Sequence, residues 1–537
     1  MKIRMLGFLA VVFASALAFC SPLAAQEPKP VLTDKGPVQG TVEDGITIYK
    51  GIPFAAPPLG DLRWRAPQPH AKWAEPLKTD KFAPACMQTP IVMPALGLDA
   101  VEVNEDCLYL NVWTPAKTPR DKVPVMVWIY GGGFTIGATS MKQYDGTNLA
   151  KKGVVLVSIA YRVGTLGFLA HPELTKEQGG HSGNYGLLDQ IAGLQWVKKN
   201  IAAFGGDPRR ITIFGESAGG ISVSMLSASP LAKGLFTGAI SESGGNFGPE
   251  SHGNEGGTNM VSLATAEKNG SSFVGRLGAT SIADARKKPA ADILKAQPAG
   301  LGNGGSSWPI FDGYVLLGDQ YKLYEAGKYN DTPILVGTNA DEGALFVAAT
   351  TSAAYQKQVK DGYSEYADKI FAAYPGDTEA NALRSARDMS RDTLFAWPTW
   401  AWARLQSKTG KGKVYVYYFN HRPPYPNQPQ FKDWGAAHGS EISYVFGNFT
   451  SAMPPGDTDK AVSEQLSTYW TNFAKTGKPN GSGLPNWPAF TDANQQAMEL
   501  DDPSHAIPMP NLEKLKALDG YFAWRRSQEG SKAAGGK

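Results

Sequence analysis

Apolar residues follow two spacings along this chain, and the two spacings alternate. Nearly unbroken apolar runs occupy residues 123–130, 154–161 and 333–337, and each run gives way to glycine or polar residues. Such runs are typical of strands in a parallel sheet that is covered on both faces. Residues 184–204 instead carry Leu, Ile and Val at helical spacing. The alternation predicts an α/β fold with a large, mostly parallel central sheet flanked by helices.

The remaining segments predict the domain organisation. Residues 31–65 alternate short strand-like runs with Gly and Pro, which predicts an N-terminal antiparallel ribbon. Residues 246–307 are rich in Gly, Ser and Ala without a clear period, and residues 351–409 have a helical pattern. We interpret both as cap insertions of a single domain over 26–530, which a disordered Gly- and Lys-rich tail over 531–537 follows.

The composition is that of a globular protein. The chain has 537 residues, of which 42% are hydrophobic and 19% are charged, and its formal net charge is +3. This content of apolar residues is sufficient for a large core and excludes a chain that is disordered overall. No basic block is present, so nucleic acid is not an expected partner.

The N-terminus has the pattern of a secretory signal peptide. Lys2 and Arg4 precede an apolar run over 5–19, and small residues follow up to Ala25. The alternative is an uncleaved anchor, but the run is shorter than the roughly 20 residues that a spanning helix needs. The sequence therefore predicts cleavage near Ala25, no membrane span, and a secreted or periplasmic protein.

Three cysteines are present, and one lies in the predicted signal. Cys20 is an unfavourable lipoprotein site because Phe19 stands where a small residue is expected. Cys86 and Cys107 are 21 positions apart, and in an exported protein they most simply form a disulfide, worth roughly 3 kcal/mol. A reactive free thiol is the alternative, although neither cysteine has a neighbouring His or Lys to activate it.

A nucleophile motif follows another strand-like run. Residues 210–220 read RITIFGESAGG, in which Gly215 and Gly219 flank Ser217. A G-x-S-x-G between a strand and a helix is the nucleophile elbow, whose tight turn presents the serine hydroxyl above the sheet. An ordinary Gly-Ser turn is the alternative. A serine is a weak nucleophile by itself, so this interpretation requires a base, an acid and oxyanion donors.

Candidates for these groups lie at the ends of other predicted strands. The run 123–130 ends in three glycines, Gly131 to Gly133, a pattern that suits an oxyanion-hole loop or, alternatively, a flexible turn. Asp341 and Glu342 follow the run 333–337, where the catalytic groups of such sheets collect. The residues themselves do not distinguish these two carboxylates.

His438 is the best candidate for the base. It lies among small residues in GAAHG, whereas His421 abuts an Arg-Pro-Pro turn and His505 a proline-rich tail. Ser217, a carboxylate near 342 and His438 then occur in the order Ser, acid, His, which is the order of α/β-hydrolases.

With these residues the chain resembles the type B carboxylesterase family, the group of bacterial para-nitrobenzyl esterases and cholinesterases. The similar stretches cover nearly all of the chain after the signal: YKGIPFAAPPLGDLRW at 49, EDCLYLNVWTP at 105, WIYGGGF at 128, GNYGLLDQ at 183, FGESAGG at 214, GLFTGAISESG at 234, GTNADEG at 337, AAHGSEISYVFG at 436 and NFAKTGKPN at 472.

The resemblance implies an α/β-hydrolase fold and a serine carboxylic-ester hydrolase that needs no cofactor and no metal. It assigns Ser217 as nucleophile, Glu342 as acid and His438 as base. It also implies the remaining roles: Gly132, Gly133 and Ala218 as oxyanion hole, Ser243 as support of the acid, and a Cys86–Cys107 disulfide.

Two differences from the cholinesterase branch indicate which class of substrate to expect. That branch carries a tryptophan between the two cysteines that stacks on quaternary ammonium. Residues 87–106 of this chain contain no aromatic residue. Glycines at 302–305 fall where relatives restrict the acyl group. Neutral, fairly hydrophobic small-molecule esters are therefore expected rather than choline esters.

Other functions remain open at this level. The chain has the motifs that a dedicated esterase for a bulky feruloyl, mycotoxin or polymer ester would have, and the same holds for an amidase or a lactonase. A non-catalytic esterase-like binding module is the alternative from another class, but such modules usually lack one of the three catalytic residues. The oligomeric state is not indicated by the sequence.

Overall fold

The computed structural model describes residues 28–89, 100–252, 260–297 and 307–527. The predicted signal peptide with Cys20, the glycines of 302–305 and the predicted tail over 531–537 lie outside the described residues. The described residues include both cysteines of the predicted disulfide and every candidate site residue.

The strands of the described residues are, in chain order, β1 (Val31–Leu32), β2 (Pro37–Gln39), β3 (Thr41–Glu43), β4 (Ile46–Pro53), β5 (Leu77–Lys78), β6 (Ala85–Cys86), β7 (Val103–Asn104), β8 (Tyr109–Thr114), β9 (Val123–Ile129), β10 (Val155–Ile159), β11 (Gly206–Glu216), β12 (Gly238–Glu242), β13 (Ile334–Asn339), β14 (Val414–Phe419), β15 (Gln496–Leu500) and β16 (His505–Pro508).

A central sheet of eleven strands dominates the described part of the chain. Its order is β16-β15-β14-β13-β12-β11-β9-β10-β8-β4-β3. The strands from β10 through β15 in this order are parallel, and antiparallel strands continue the sheet at both ends. The mostly parallel sheet is confirmed. The predicted N-terminal ribbon is also present, and its β3–β4 pair extends the edge of this sheet.

The helices of the described residues are α1 (Thr147–Lys151), α2 (Gly164–Phe168), α3 (Pro172–Glu177), α4 (Tyr185–Asn200), α5 (Ala218–Ala228), α6 (Leu263–Arg276), α7 (Ile282–Ala285), α8 (Ala290–Ala296), α9 (Gln320–Glu325), α10 (Gly343–Phe346), α11 (Ser352–Tyr363), α12 (Ala367–Ala373), α13 (Glu379–Arg391), α14 (Trp397–Thr409), α15 (Ile442–Phe446), α16 (Asp457–Thr476) and α17 (Leu512–Arg526). Short 3-10 helices and one π-helical turn, Asp392–Ala396, complete them.

Burial explains why the strands are apolar throughout. In β9, the side chains of Val125, Met126 and Val127 are all fully buried, although successive side chains of a strand point to opposite faces. Both faces of the sheet are therefore covered. Because parallel strands share one direction, the carboxyl ends of β9, β11 and β13 lie at the same edge, where the candidate site residues follow.

The segment 246–307 contains more helix than its composition predicts. Within its described residues lie α6, α7 and α8. In α6 the buried positions include Ala266 and Gly270, and a β-carbon at Gly270 would collide with the backbone oxygen of Ala170. Because small residues form part of the buried face of α6, the hydrophobic spacing of that helix is too weak to recognise in the sequence.

The predicted disulfide is confirmed. Cys86 and Cys107 form a disulfide with an S–S distance of 2.04 Å. None of the helices in the described ranges combines the length and the hydropathy that crossing a membrane requires.

Candidate active site

Ser217 lies at the turn between β11 and α5. Its backbone has φ 54° and ψ −123°, and its N–H donates to the Glu242 carbonyl oxygen at 2.8 Å. The flanking glycines are required by space: a β-carbon at Gly215 would lie 2.5 Å from the Ile129 carbonyl oxygen, and one at Gly219 would collide with the same atom. The G-x-S-x-G therefore forms the tight turn that the sequence predicts.

His438 is hydrogen-bonded to Glu342. The imidazole Nδ1 lies 2.6 Å from Glu342 Oε2. The other carboxylate oxygen accepts from the Ser243 hydroxyl at 2.5 Å and from the Asn339 backbone N–H at 2.7 Å. Glu342 is fully buried, so these donors replace water around its charge. Ser243 supports the Glu342 carboxylate directly, in the position that the resemblance implies.

Asp341 contacts the histidine loop in a different way. Its Oδ2 accepts from the Ala436 backbone N–H at 2.9 Å, and its own N–H donates to the Ala436 carbonyl at 3.0 Å. Asp341 thus holds the main chain two residues before His438, while Glu342 binds the imidazole. The geometry separates two neighbouring carboxylates that sequence reasoning alone left equivalent.

Glu216 is a residue of the site that the sequence analysis missed. Its Oε1 lies 3.2 Å from His438 Nε2, on the side of the ring away from Glu342. It occupies the variable position of the G-x-S-x-G motif, directly before Ser217. That adjacency is the only signal in the sequence that could have indicated it.

The two carboxylates change the protonation of His438. Burial lowers the pKa of the imidazole, but the charges of Glu216 and Glu342 outweigh burial and raise this pKa to about 9. Burial also raises the pKa of Glu216 to about 7, with the carboxylate of Glu342 acting in the same direction and the His438 cation against it. The imidazole therefore holds its proton more strongly than a free histidine does.

The glycine loop after β9 lies directly against the elbow. A β-carbon at Gly131 would come within 2.7 Å of Glu216 and 3.0 Å of Ser217 Cβ. Gly132 and Gly133 have φ values of 105° and 59°, which favour glycine. Ala218 is the first residue of α5, where a backbone N–H has no partner within the helix. Gly132, Gly133 and Ala218 thus line the same cavity as the serine.

These groups line a single cavity of about 600 Å³. Its wall is mainly aliphatic and aromatic, and includes Ile136, Met141, Ile221, Phe247, Met260, Trp308, Leu345, Phe346, Phe395, Trp434, Ile442, Tyr444 and Phe449. Among the described residues of the wall, Glu216 is the only carboxylate and there is no Lys or Arg. Both segments predicted as cap insertions contribute to this wall.

Two aromatic rings contact the base. Phe395 stacks on the His438 imidazole, with ring centroids 4.4 Å apart, and the Phe346 ring lies 5.2 Å away. Phe395 belongs to the π-helical turn Asp392–Ala396, and such turns are frequent at functional sites. This contact could not be predicted from the sequence, because Phe395 and His438 are 43 positions apart.

The structure thus brings most of the predicted site residues together. Ser217, His438, Gly132, Gly133 and Ala218 line the cavity, whereas Glu342 and Ser243 lie behind the imidazole. The tryptophans of α14 do not line it and are buried instead: Trp397, Trp400 and Trp402. In the described ranges no group of three or more His, Cys, Asp or Glu is arranged to hold a metal ion.

Comparisons with known proteins agree with this geometry. The model of the "Carboxylesterase family" matches residues 27–517. A fumonisin B1 esterase from Sphingopyxis macrogoltabida is 37% identical over 87% of this chain and 86% of its own. A para-nitrobenzyl esterase from Bacillus subtilis (strain 168) is 35% identical over 91% of this chain and 98% of its own.

A solved structure of a PNB esterase has the same fold. It superposes with a TM-score of 0.79 at 34% identity and covers 91% of this chain and 99% of its own. The family match spans the elbow, the glycine loop, the acid and the histidine. The protein therefore belongs to the carboxylesterase family and is a serine carboxylic-ester hydrolase.

Proposed function

We propose that this protein hydrolyses neutral, fairly hydrophobic esters through an acyl-enzyme on Ser217. The observation that carries the proposal is that Ser217 and a Glu342-bound His438 line one apolar cavity beside the glycine loop. In the first step, Ser217 Oγ attacks the ester carbonyl while His438 Nε2 takes the hydroxyl proton. Glu342 keeps Nδ1 protonated and stabilises the imidazolium that forms.

The oxyanion of the tetrahedral intermediate is assigned to the backbone N–H groups of Gly132, Gly133 and Ala218. Donors that are fixed before the reaction stabilise the charge where it develops, and removing one typically reduces the rate about 10²- to 10³-fold. His438 then gives its proton to the leaving alcohol. A water molecule repeats the sequence on the acyl-enzyme and releases the acid.

The substrate class follows from the lining of the cavity. An anionic ester would meet Glu216 and, among the described wall residues, no Lys or Arg to pair with. The aliphatic and aromatic wall instead stabilises apolar groups by burying their surface. A volume of about 600 Å³ falls in the range of pockets that enclose whole small molecules, about 300 to 1,000 Å³. Neutral esters with bulky apolar groups fit both properties.

Dedicated action on one bulky natural ester is the second candidate. The same cavity volume supports it, and relatives named fumonisin B1 esterase and pyrethroid hydrolase Ces2e occur at 37% and 33% identity. A screen of aryl, alkyl and bulky esters, with the matching amides and lactones, separates a broad esterase from a dedicated one.

The nucleophile assignment has a direct test. A fluorophosphonate probe should label one peptide, the one that contains Ser217, and Ser217→Ala should abolish both the label and turnover while the protein stays folded. Ser443→Ala is the matched control, because Ser443 also lines the cavity and its loss should leave the label in place. Labelling of another serine would contradict the assignment.

We also propose that the protein acts outside the cytoplasm. The predicted signal peptide supports export, and a Cys86–Cys107 disulfide is typical of an oxidising compartment. Fractionation of producing cells, followed by N-terminal sequencing, should find a mature chain that starts near Gln26. A full-length chain in the cytoplasm would contradict export.

A further inference from the structure

The side-chain amide of Gln88 donates one hydrogen bond to the main chain of Gly137 and accepts another from it. Gln88 Nε2 donates to the Gly137 carbonyl at 2.8 Å, and the Gly137 N–H donates to Gln88 Oε1 at 2.8 Å. The Gln88 side chain is buried, with 4% of the residue exposed. A paired bond of this kind fixes the two peptide units that meet at Gly137.

Gln88 is itself held next to the disulfide. The same Nε2 also donates to the Cys86 carbonyl oxygen at 2.9 Å, and Cys86 is joined to Cys107, the residue before the buried Leu108 and strand β8. The amide is thus fixed relative to the central sheet by a covalent link two residues away.

Gly137 closes the glycine loop that begins at Gly131. Within this loop the N–H groups of Thr135 and Ile136 both donate to the Gly132 carbonyl at 3.1 Å. Gly137 has φ 129°, and a β-carbon there would collide with the Tyr130 ring. The loop therefore has two fixed ends, one against the elbow at Gly131 and the other at Gly137, and the N–H groups of Gly132 and Gly133 lie between them.

We propose that Gln88 is a positioning residue for the oxyanion hole, and that it transmits the rigidity of the Cys86–Cys107 disulfide to the loop containing Gly132 and Gly133. The proposal rests on the oxyanion-hole role stated under the proposed function. Gln88 does not line the cavity; it acts through Gly137. Without the Gln88 amide, the carbonyl and the N–H of Gly137 both lose their hydrogen-bond partner. The loop then loses one of its two fixed ends.

This role has a kinetic signature that a purely structural role lacks. Oxyanion donors act on the tetrahedral state and little on the planar substrate. Loss of their alignment should lower kcat and leave KM nearly unchanged. Because a complete loss of one donor typically reduces the rate about 10²- to 10³-fold, a loosened loop should reduce kcat about 10- to 100-fold.

The test compares Gln88→Met and Gln88→Glu with the unaltered protein. Met fills the same space without any of the three hydrogen bonds, whereas Glu keeps an acceptor for the Gly137 N–H and loses both donated bonds. The measurements are kcat and KM on a neutral aryl ester and the inhibition constants of two probes. An alkyl trifluoromethyl ketone, to which Ser217 adds reversibly with an oxyanion in the hole, reports the tetrahedral state. The matching alcohol product has no carbonyl oxygen for the hole and reports binding in the apolar cavity alone.

Gln88→Met should weaken the binding of the trifluoromethyl ketone by the same factor by which it lowers kcat. The affinity for the alcohol should stay unchanged. Gln406→Ala is the control, because Gln406 is a buried amide that binds the Thr332 carbonyl away from the cavity. It should lower the melting temperature without changing kcat or either inhibition constant. Replacing both cysteines by Ser should reproduce the Gln88→Met pattern, and adding Gln88→Met to that variant should change kcat by less than it does alone.

The proposal would be overturned if Gln88→Met left kcat and the affinity for the ketone unchanged. It would also be overturned if the variant bound the ketone and the alcohol more weakly by the same factor. If Gln88→Met does not fold, Gln88→Glu and the double cysteine variant decide by the same criteria. The fluorophosphonate experiment on Ser217 tests the proposed function separately, so a failure there is distinguishable from a failure here.

Discussion

Glu216 Oε1 lies 3.2 Å from His438 Nε2, the nitrogen that must accept the serine proton. The imidazole thus has a carboxylate at each ring nitrogen, Glu342 at Nδ1 and Glu216 at Nε2. Both charges favour the protonated ring, and only the neutral ring can act as a base. Glu216 therefore shifts the pH range in which His438 is neutral to higher values.

The first prediction concerns this pH dependence. In the folded protein the carboxylates raise the pKa of His438 to about 9 against the effect of burial, so kcat/KM should increase with pH above neutrality. Glu216→Gln removes one negative charge and lowers that pKa, because the imidazolium loses a stabilising partner. The ascending limb of the kcat/KM profile should move to lower pH.

The measurement is a profile of kcat/KM from about pH 5 to about pH 10, a range that brackets the ordinary and the raised histidine pKa. Asp341→Asn is the matched control, because Asp341 binds the main chain at Ala436 and not the imidazole. The ascending limb of the Asp341→Asn profile should stay at the same pH as that of the unaltered protein. An unchanged limb in Glu216→Gln would show that Glu216 does not set the protonation of His438.

The second prediction separates the neighbouring acids. Glu342→Gln removes the charge that orients and stabilises the imidazolium, so kcat should decrease roughly 10³- to 10⁴-fold. Asp341→Asn should lower the melting temperature and leave kcat within severalfold, since Asp341 holds only the loop backbone. Steady-state kinetics and thermal unfolding of the two variants give the comparison. The opposite ranking would assign the acid to position 341.

The third prediction concerns the disulfide. Replacing Cys86 and Cys107 by Ser opens a loop of about 20 residues, and the free energy of unfolding should decrease by roughly 3 kcal/mol in the chain-entropy model. Denaturant unfolding of the variant and of the unaltered protein measures the difference. Mass spectrometry without reduction should find one linked peptide pair, and an alkylated thiol at either cysteine would contradict the pairing.

The fourth prediction compares substrates that share one acyl group. A neutral alkyl ester should have a higher kcat/KM than the choline ester, because the tryptophan stacking partner of cholinesterases is missing between the cysteines. Such a cation–π contact contributes roughly 0.5 to 2 kcal/mol. A preference for the choline ester would point to Trp308 or Trp434, which line the cavity, as substitutes.

Local chemistry explains which parts of the site could be predicted. The elbow at Ser217 was predictable because two glycines and a preceding strand determine the turn within a few residues. The choice of Glu342 over Asp341 was not, because it depends on the direction of the chain after β13 and came only from the resemblance. Phe395 and Gln88 were missed, since their partners, His438 and Gly137, are distant in sequence.

The fold, like the site, was predictable only in part. Strands buried on both faces have a pattern that sequence reasoning recognises, and β9 (Val123–Ile129) follows the predicted run 123–130 to within one residue. Helix α6 was not recognised in the sequence, because Ala266 and Gly270 on its buried face are small. Close packing of a helix against a neighbouring backbone removes the large apolar residues whose spacing would indicate it.

The positive φ of Ser217 lowers the stability of the enzyme, whereas the activity requires a serine at this position. A non-glycine residue in such a backbone region costs about 1 to 3 kcal/mol, and Ala at 217 would retain that cost, whereas Gly would not. Ser217→Gly should therefore melt at a higher temperature than Ser217→Ala, although both lack the nucleophile. Selection for thermal stability alone would thus favour the loss of the catalytic serine, and the fold retains a less stable backbone because the reaction requires a hydroxyl at this turn.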